Sequence, residues 1–307
     1  MTTDTGSSDH VVDVRGLGRR FGRTDALMDL DLAIRPGCVL GLVGENGAGK
    51  TTLVRHLLGM LRAQSGTVRV FGLDPVLDPV GVLGRIGYLS EKRDIPLWMR
   101  VRELLRYTAA FHPGWDEGYA KRLVSDFGLD PDDRLRNLSN GQQARAALIA
   151  AVAHRPELLL LDEPSAGLDA AVRRDILGAI IRTVSDEGRT VLFSSHLLDE
   201  VERVSDSVAM IHKGRIVMSG PLDDVKQAHR RLTLRFPEAR TTPPALPGAI
   251  TCEGGGREWT VLCHGDLGAL PDVVRDSGGA IVEEAVPSLE DIFVARVSGR
   301  RATTEEG

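Results

Sequence analysis

The sequence predicts an α/β protein, a parallel sheet covered by helices, extended after about residue 220 by a smaller α+β module. Three observations carry this. The runs CVLGLVG (38–44) and ELLLLDEP (157–164) are almost continuously apolar, the pattern of strands buried on both faces. Each leads into a segment with helical apolar spacing, TTLVRHLLGML (51–61) and AAVRRDILGAIIRTVSDEG (170–188). The composition then shifts after Gly220-Pro221, where a Pro-rich link, TTPPALPG (241–248), interrupts new strand patterns.

Taken in order, residues 1–10 (MTTDTGSSDH) read as a disordered polar tail with none of the basic-then-apolar character of a signal peptide. VVDV and ALMDLDLAI read as short strands, the Pro36-Gly37 pair as a turn, and CVLGLVG as a buried strand. Helical signals dominate 92–137, broken at Pro96, Pro113, Gly114 and Pro131, and QQARAALIAAVAHR (142–155) is a small-residue helix able to pack closely on its neighbours. TVLFSSH (190–196) is a third buried strand, and SVAMIHKGRIVMSG (207–220) a hairpin turning at Lys213-Gly214. The module beyond reads as a strand (RRLTLRF), a loop, a hairpin (AITCEGGGREWTVLC), a helix near LGALPDVVRDS, a strand (GAIVEEAV) and a helix (SLEDIFVARV), with a frayed tail at 301–307.

With 307 residues, 42% of them hydrophobic, the chain can bury a large core plus a second smaller one, so disorder is not the default. A net charge of -5 argues against a general nucleic-acid binder, whose partner demands a basic surface. The three cysteines, Cys38, Cys252 and Cys263, are odd in number and lack metal-ligand spacing, which suits reduced thiols in a cytoplasmic protein. No run approaches the roughly 20 apolar residues of a membrane span. The chain is therefore expected in the cytoplasm unless a partner holds it at a membrane.

The chemistry begins at GENGAGKT, Gly44 to Thr51, a G-x-x-x-x-G-K-[ST] pattern between a predicted strand and a predicted helix. Glycines let the backbone N–H groups of Gly44, Glu45, Asn46, Gly47, Ala48 and Gly49 turn around phosphates, and the following helix N-terminus, with Thr52, adds its dipole. Lys50, expected on an exposed loop, would pair with the outer phosphates, and the Thr51 hydroxyl would bind Mg²⁺. At the carboxyl end of LLLLDEP, two adjacent carboxylates can divide the work: Asp162 holds Mg²⁺ through water and Glu163 polarises the attacking water. His196 ends TVLFSSH at a comparable position, where a lone histidine is equally readable as structural. LSNGQ (138–142), taken by itself, is a turn and a helix N-cap.

GENGAGKTT, LSNGQ, LLLLDEP, SAGLD and SSH occur in that order over residues 11 to about 220, and in this the chain resembles the ATP-binding subunits of ABC transporters. The resemblance implies a P-loop NTPase core with an antiparallel β subdomain and a helical subdomain at about 92–150. It implies ATP and Mg²⁺ as ligands and hydrolysis with Glu163 and His196 as catalytic residues. It makes LSNGQ the family's signature, in which Ser139, Asn140, Gly141 and Gln142 would bind the γ-phosphate held by the opposite subunit of a head-to-tail homodimer or pseudo-homodimer. Asn140 stands where the family has Gly, a mild departure if the position is left-handed, which Asn tolerates. Phe21 is the positional match to the aromatic that stacks on adenine, a core position being the alternative. Asp169 closes the loop linking the two ATP sites. In GYLSE, Glu91 stands where the family has Gln. It can ligate Mg²⁺ through oxygen but adds negative charge beside the phosphates. Leu97, Trp98 and Met99 fall where the family faces its membrane subunit, and equally suit internal packing.

The resemblance thus implies an ATPase that powers a separate integral membrane permease, held at the inner face of the cell membrane by that partner. A soluble ABC-type ATPase acting on ribosomes or DNA is the alternative, weakened by the single cassette and the acidic balance; a P-loop kinase would leave LSNGQ and His196 unexplained. The module at 221–300 resembles the extension on ABC-2-type drug and lipid exporters, which implies export. The transported substrate is not legible, because its specificity belongs to the membrane subunit.

Overall fold

The computed structural model describes residues 10–185, 188–265 and 268–302. The tails expected at 1–10 and 301–307 lie almost wholly outside these residues, except that the last helix continues through Ala302. The chain divides into two compact units that meet at Met218/Ser219.

In the first unit the order is β1 (Val12–Phe21), β2 (Thr24–Ile34), β3 (Val39–Val43), α1 (Lys50–Leu57), β4 (Ser65–Val70), α2 (Pro79–Leu83), β5 (Ile86–Leu89), α3 (Val101–Ala109), α4 (Glu117–Asp126), α5 (Asn140–Val152), β6 (Leu158–Asp162), α6 (Ala170–Ser185), β7 (Thr190–Ser195), α7 (Leu198–Val204), β8 (Ser207–His212) and β9 (Arg215–Pro221). Strands β2, β1 and β4 form an antiparallel sheet, and the six others form a mixed sheet in the order β5-β6-β7-β3-β8-β9. The central members, β5, β6, β7, β3 and β8, are parallel. β3, β6 and β7 are buried along their whole length, which is why their sequences read as unbroken apolar runs. Lys213 and Gly214 both have positive φ (46° and 75°), the turn that a two-residue hairpin between β8 and β9 requires.

One core joins the two sheets. Leu53, Val54 and Leu57 of α1 sit in the same cluster as Val14, Leu30 and Ile34 of the antiparallel sheet and Leu42, Leu160 and Ile211 of the mixed sheet. α1 is therefore held by fully buried side chains, each contributing about 1.5–3 kcal/mol, and the loop that precedes it is anchored at its far end. The helices of the 92–150 region pack on α5, whose alanines Ala144, Ala146, Ala147 and Ala151 are buried. Pro113 and Gly114 separate α3 from α4, and Asp116 caps α4 by accepting the Tyr119 N–H at 2.8 Å. Met99 is only 8% exposed, so its place is in packing, whereas Leu97 and Trp98 lie on the surface, Trp98 with 67% of its area open.

The second unit contains α8 (Leu222–Gln227), β10 (His229–Arg240), β11 (Ala249–His264), α9 (Leu270–Asp276), β12 (Ala280–Ala285) and α10 (Leu289–Ala302). Its antiparallel sheet has the order β11-β10-β12. β11 doubles back on itself: the His264 N–H donates to the Gly248 carbonyl at 2.8 Å, and a Cβ on Gly254 (φ 124°) would lie 2.5 Å from the Glu258 carbonyl oxygen. This is the hairpin that AITCEGGGREWTVLC predicts. Leu232, Leu234, Phe236, Trp259, Val261 and Val274 form a core belonging to this unit. The cysteines are free thiols, and burial pushes that of Cys263 up to about 11.

Candidate functional site

The phosphate-type loop leaves β3 at Gly44 and enters α1 at Lys50. Gly49 is the helix N-cap with φ 118°, and a Cβ there would lie 2.7 Å from the Ala26 carbonyl oxygen, so no other residue fits this turn. Glu45, Asn46 and Gly47 are exposed, Thr51 and Thr52 half-buried. Lys50 differs from expectation. It is 5% exposed, because its stem folds back beneath the loop and its Nζ donates to the carbonyls of Gly44 (2.6 Å) and Glu45 (3.3 Å). The same Nζ lies 2.9 Å from Glu163 Oε1.

Glu163 follows β6 with φ 48°, a left-handed backbone that costs a non-glycine residue about 1–3 kcal/mol and is found where surroundings over-determine it. Its N–H donates to Ser194 Oγ at 3.0 Å and to the Ser194 carbonyl at 3.2 Å. Its other carboxylate oxygen, Oε2, lies 2.7 Å from His196 Nδ1. Lys50, Glu163 and His196, drawn from three loops at the carboxyl ends of neighbouring strands β3, β6 and β7, therefore meet at one carboxylate. Beside it Asp162 is buried, and Ser194 Oγ donates to its Oδ1 at 2.7 Å. The negative charge of Asp162 adds to burial, the larger effect, in pushing the Tyr88 hydroxyl up to about 12.

Among the described residues no set of three or more His, Cys, Asp or Glu side chains forms a metal cluster. The Thr51 hydroxyl, the Asp162 carboxylate and the exposed Glu91 are a donor set that suits a hard divalent ion only when phosphate oxygens complete the shell.

Phe21 ends β1 with 43% of its surface open and Arg19 stacked 4.7 Å above its ring, which removes the core alternative. Ser139 caps α5: its Oγ accepts the Gln142 N–H at 3.3 Å while Gln142 Oε1 accepts the Ser139 N–H at 3.0 Å, a reciprocal capping box. Asn140 is the first helical residue and has no positive φ, so the left-handed rationale for it does not apply. Asp169 likewise caps α6, accepting the N–H groups of Ala171 and Val172, both at 3.0 Å. Among the described residues no hydrogen bond or ion pair joins the 138–142 segment to the Lys50–Glu163–His196 cluster.

Two contributors escape motif reading. Ser194 fixes both Asp162 at the end of β6 and Glu163 just after it, and nothing in its sequence context sets it apart from Thr190 and Ser195, the other hydroxyl residues of β7. Arg93, with φ 49°, donates from its guanidinium to the Ala166 carbonyl and ties the segment after Glu91 to the SAGLD loop.

Residues 27–166 match the family model described as ABC transporter. The daunorubicin resistance ATP-binding protein DrrA3 of Streptomyces coeruleorubidus is 34% identical over 314 residues, covering 97% of this chain and 99% of that one. The bacitracin transport ATP-binding protein BcrA of Enterococcus faecalis is 28% identical over 227 residues, 73% of this chain and 74% of that one. A solved ATP-binding subunit of an ABC transporter superposes with a TM-score of 0.65 at 25% identity, over 71% of this chain and 92% of that one. The chain belongs to the ABC transporter family, as an ATP-binding subunit with ATPase activity.

Proposed function

We propose that this subunit binds and hydrolyses MgATP in composite sites between two head-to-tail cassettes, and that hydrolysis drives a membrane-embedded export partner holding it at the inner face of the cell membrane. The convergence of Lys50 and His196 on Glu163, at 2.9 and 2.7 Å, is the observation that carries the reading.

Lys50 sits on two loop carbonyls, and anionic phosphate oxygens are stronger acceptors for its ammonium than neutral carbonyls. The loop N–H groups and the start of α1 add donors for the same anion. Glu163, held on one side by Lys50 and on the other by His196, is the base that accepts the proton of the attacking water. His196 orients that carboxylate and faces the γ-phosphate. Thr51, Asp162 and Glu91 are the residues that would hold Mg²⁺, which when bound neutralises charge on the phosphates. Phe21 offers its open ring face to adenine. Ser139, Asn140, Gly141 and Gln142 serve the ATP of the opposing cassette, and Asp169 lies at the crossing between the two sites; the exposure of Ser139 and Asn140 at the N-terminus of α5 supports this. No helix among the described residues is long and apolar enough to cross a membrane, so coupling falls to a separate subunit. Export is supported by the names of the daunorubicin-resistance and bacitracin-transport relatives.

Glu163→Gln is the test, because it keeps shape and removes the proton acceptor. ATP affinity should stay within about threefold while turnover falls at least about 100-fold, and ATP should shift the variant to a dimer on gel filtration. Turnover near that of the unaltered chain would remove Glu163 from the chemistry, and a nucleotide-loaded monomer at every concentration would remove the composite site.

A further inference from the structure

We infer that Glu200 is a positioning residue for ATP hydrolysis, a buried carboxylate that locks the loop carrying Glu163 to the loop carrying His196. The inference rests on the roles proposed for those two residues. Glu200 lies in the first turn of α7, four residues after His196, and is 1% exposed. Its Oε2 accepts from Ser165 Oγ at 2.8 Å and from Ser195 Oγ at 3.1 Å, and its Oε1 lies 3.1 Å from Arg173 Nε on α6. Ser165 is two residues beyond Glu163 and opens the SAGLD loop; Ser195 immediately precedes His196. The Leu197 N–H donates to Ser195 Oγ at 3.0 Å, so the turn around His196 is braced from both sides of that hydroxyl.

These bonds close a ring. It runs from Glu163 through Pro164 to Ser165, across Glu200 to Ser195, on to His196, and back through the 2.7 Å His196–Glu163 contact. A carboxylate is an expensive way to fill such a site, because a buried charge must be fully paired and a well-packed apolar residue is often equally stable there. What an apolar residue cannot do is accept from two hydroxyls on two loops and fix the separation between a base and its histidine partner. An error of about 1 Å in that separation is enough to cost about 100-fold in rate. Arg173 places an opposite charge 3.1 Å from Glu200 Oε1, and it joins α6, which Asp169 caps, to the same ring.

The test measures kcat, ATP KM, nucleotide Kd and urea unfolding in the full-length chain for Glu200→Gln, Ser165→Ala and their double variant, with Glu163→Gln in parallel. The expected result is a kcat about tenfold lower in each single variant with Kd within about twofold, and a double variant no slower than Glu200→Gln, because both changes cut the same link. Ser165→Ala removes one hydroxyl and decides the matter if Glu200→Gln does not fold. Turnover unchanged in Ser165→Ala and Glu200→Gln, a Kd that worsens in step with kcat, or fully additive losses in the double variant would each overturn the inference. Full turnover in Glu163→Gln would overturn the underlying assignment instead, whatever the Glu200 variants do.

Discussion

The cost of Lys50 is set by its burial. A surface lysine can be replaced with little change in stability, but here Lys50 Nζ lies 2.9 Å from Glu163, a carboxylate that is itself 6% exposed. Lys50→Ala should therefore lose nucleotide affinity by at least about tenfold and also destabilise the fold by up to about 3 kcal/mol, because Glu163 is left charged and short of its partner. Adding Glu163→Gln should restore most of that stability without restoring affinity. Urea denaturation of the single and double variants reads the first effect and calorimetric titration the second; a double variant as unstable as the single would show that the pair contributes nothing. The G-x-x-x-x-G-K-[ST] spacing identified Lys50, since phosphate chemistry constrains local sequence tightly. Its burial was not legible, because that depends on Glu163, 113 positions further along the chain.

Between elements, the decisive contact is where α5 crosses α6. A Cβ on Gly141 would lie 2.6 Å from Val172 Cγ2 and 3.2 Å from Cγ1, and a β-branched valine in a helix strongly prefers a single χ1 rotamer, so it does not move aside cheaply. Helix propensity alone favours Gly141→Ala by up to about 1 kcal/mol, whereas overpacking costs about 1–3 kcal/mol. The variant should therefore be destabilised, and Val172→Ala in the same chain should bring it back above either single variant. Chemical denaturation of the three variants checks the sign; a more stable Gly141→Ala would mean that α6 yields at this crossing. The signature glycine thus has a packing duty inside its own chain beside any duty toward phosphate. The start of α5 was readable at this scale, since Ser139 caps it by strictly local bonds, whereas Asp169, read only as part of the loop linking the two ATP sites, proves also to cap α6. The register between α5 and α6 was not, and neither was the burial of Met99, which depends on what the fold brings against it. The hairpin within β11 was legible because three consecutive glycines mark its turn.

At the scale of the molecule, nucleotide should stabilise one unit and leave the other unmoved. Residues up to Met218 have a core centred on α1, residues from Ser219 have a core around Trp259, and the boundary falls within β9, two residues before the Gly220-Pro221 shift in composition. Every residue of the proposed ATP site belongs to the first unit. Ligand binding stabilises only the unit that binds, by about 2.7 kcal/mol at 100 times Kd. The three tryptophans make this measurable: Trp98 and Trp115 lie in the first unit, and Trp259 is the sole reporter of the second. Trp259 is buried, so its emission shifts to the red when that unit unfolds. In a Trp98→Phe/Trp115→Phe chain, saturating ATP should move the main circular-dichroism transition upward while the Trp259 transition stays at the same denaturant concentration. If the Trp259 transition moves by the same amount, the two units unfold as one, and the second is part of the machine that ATP tightens.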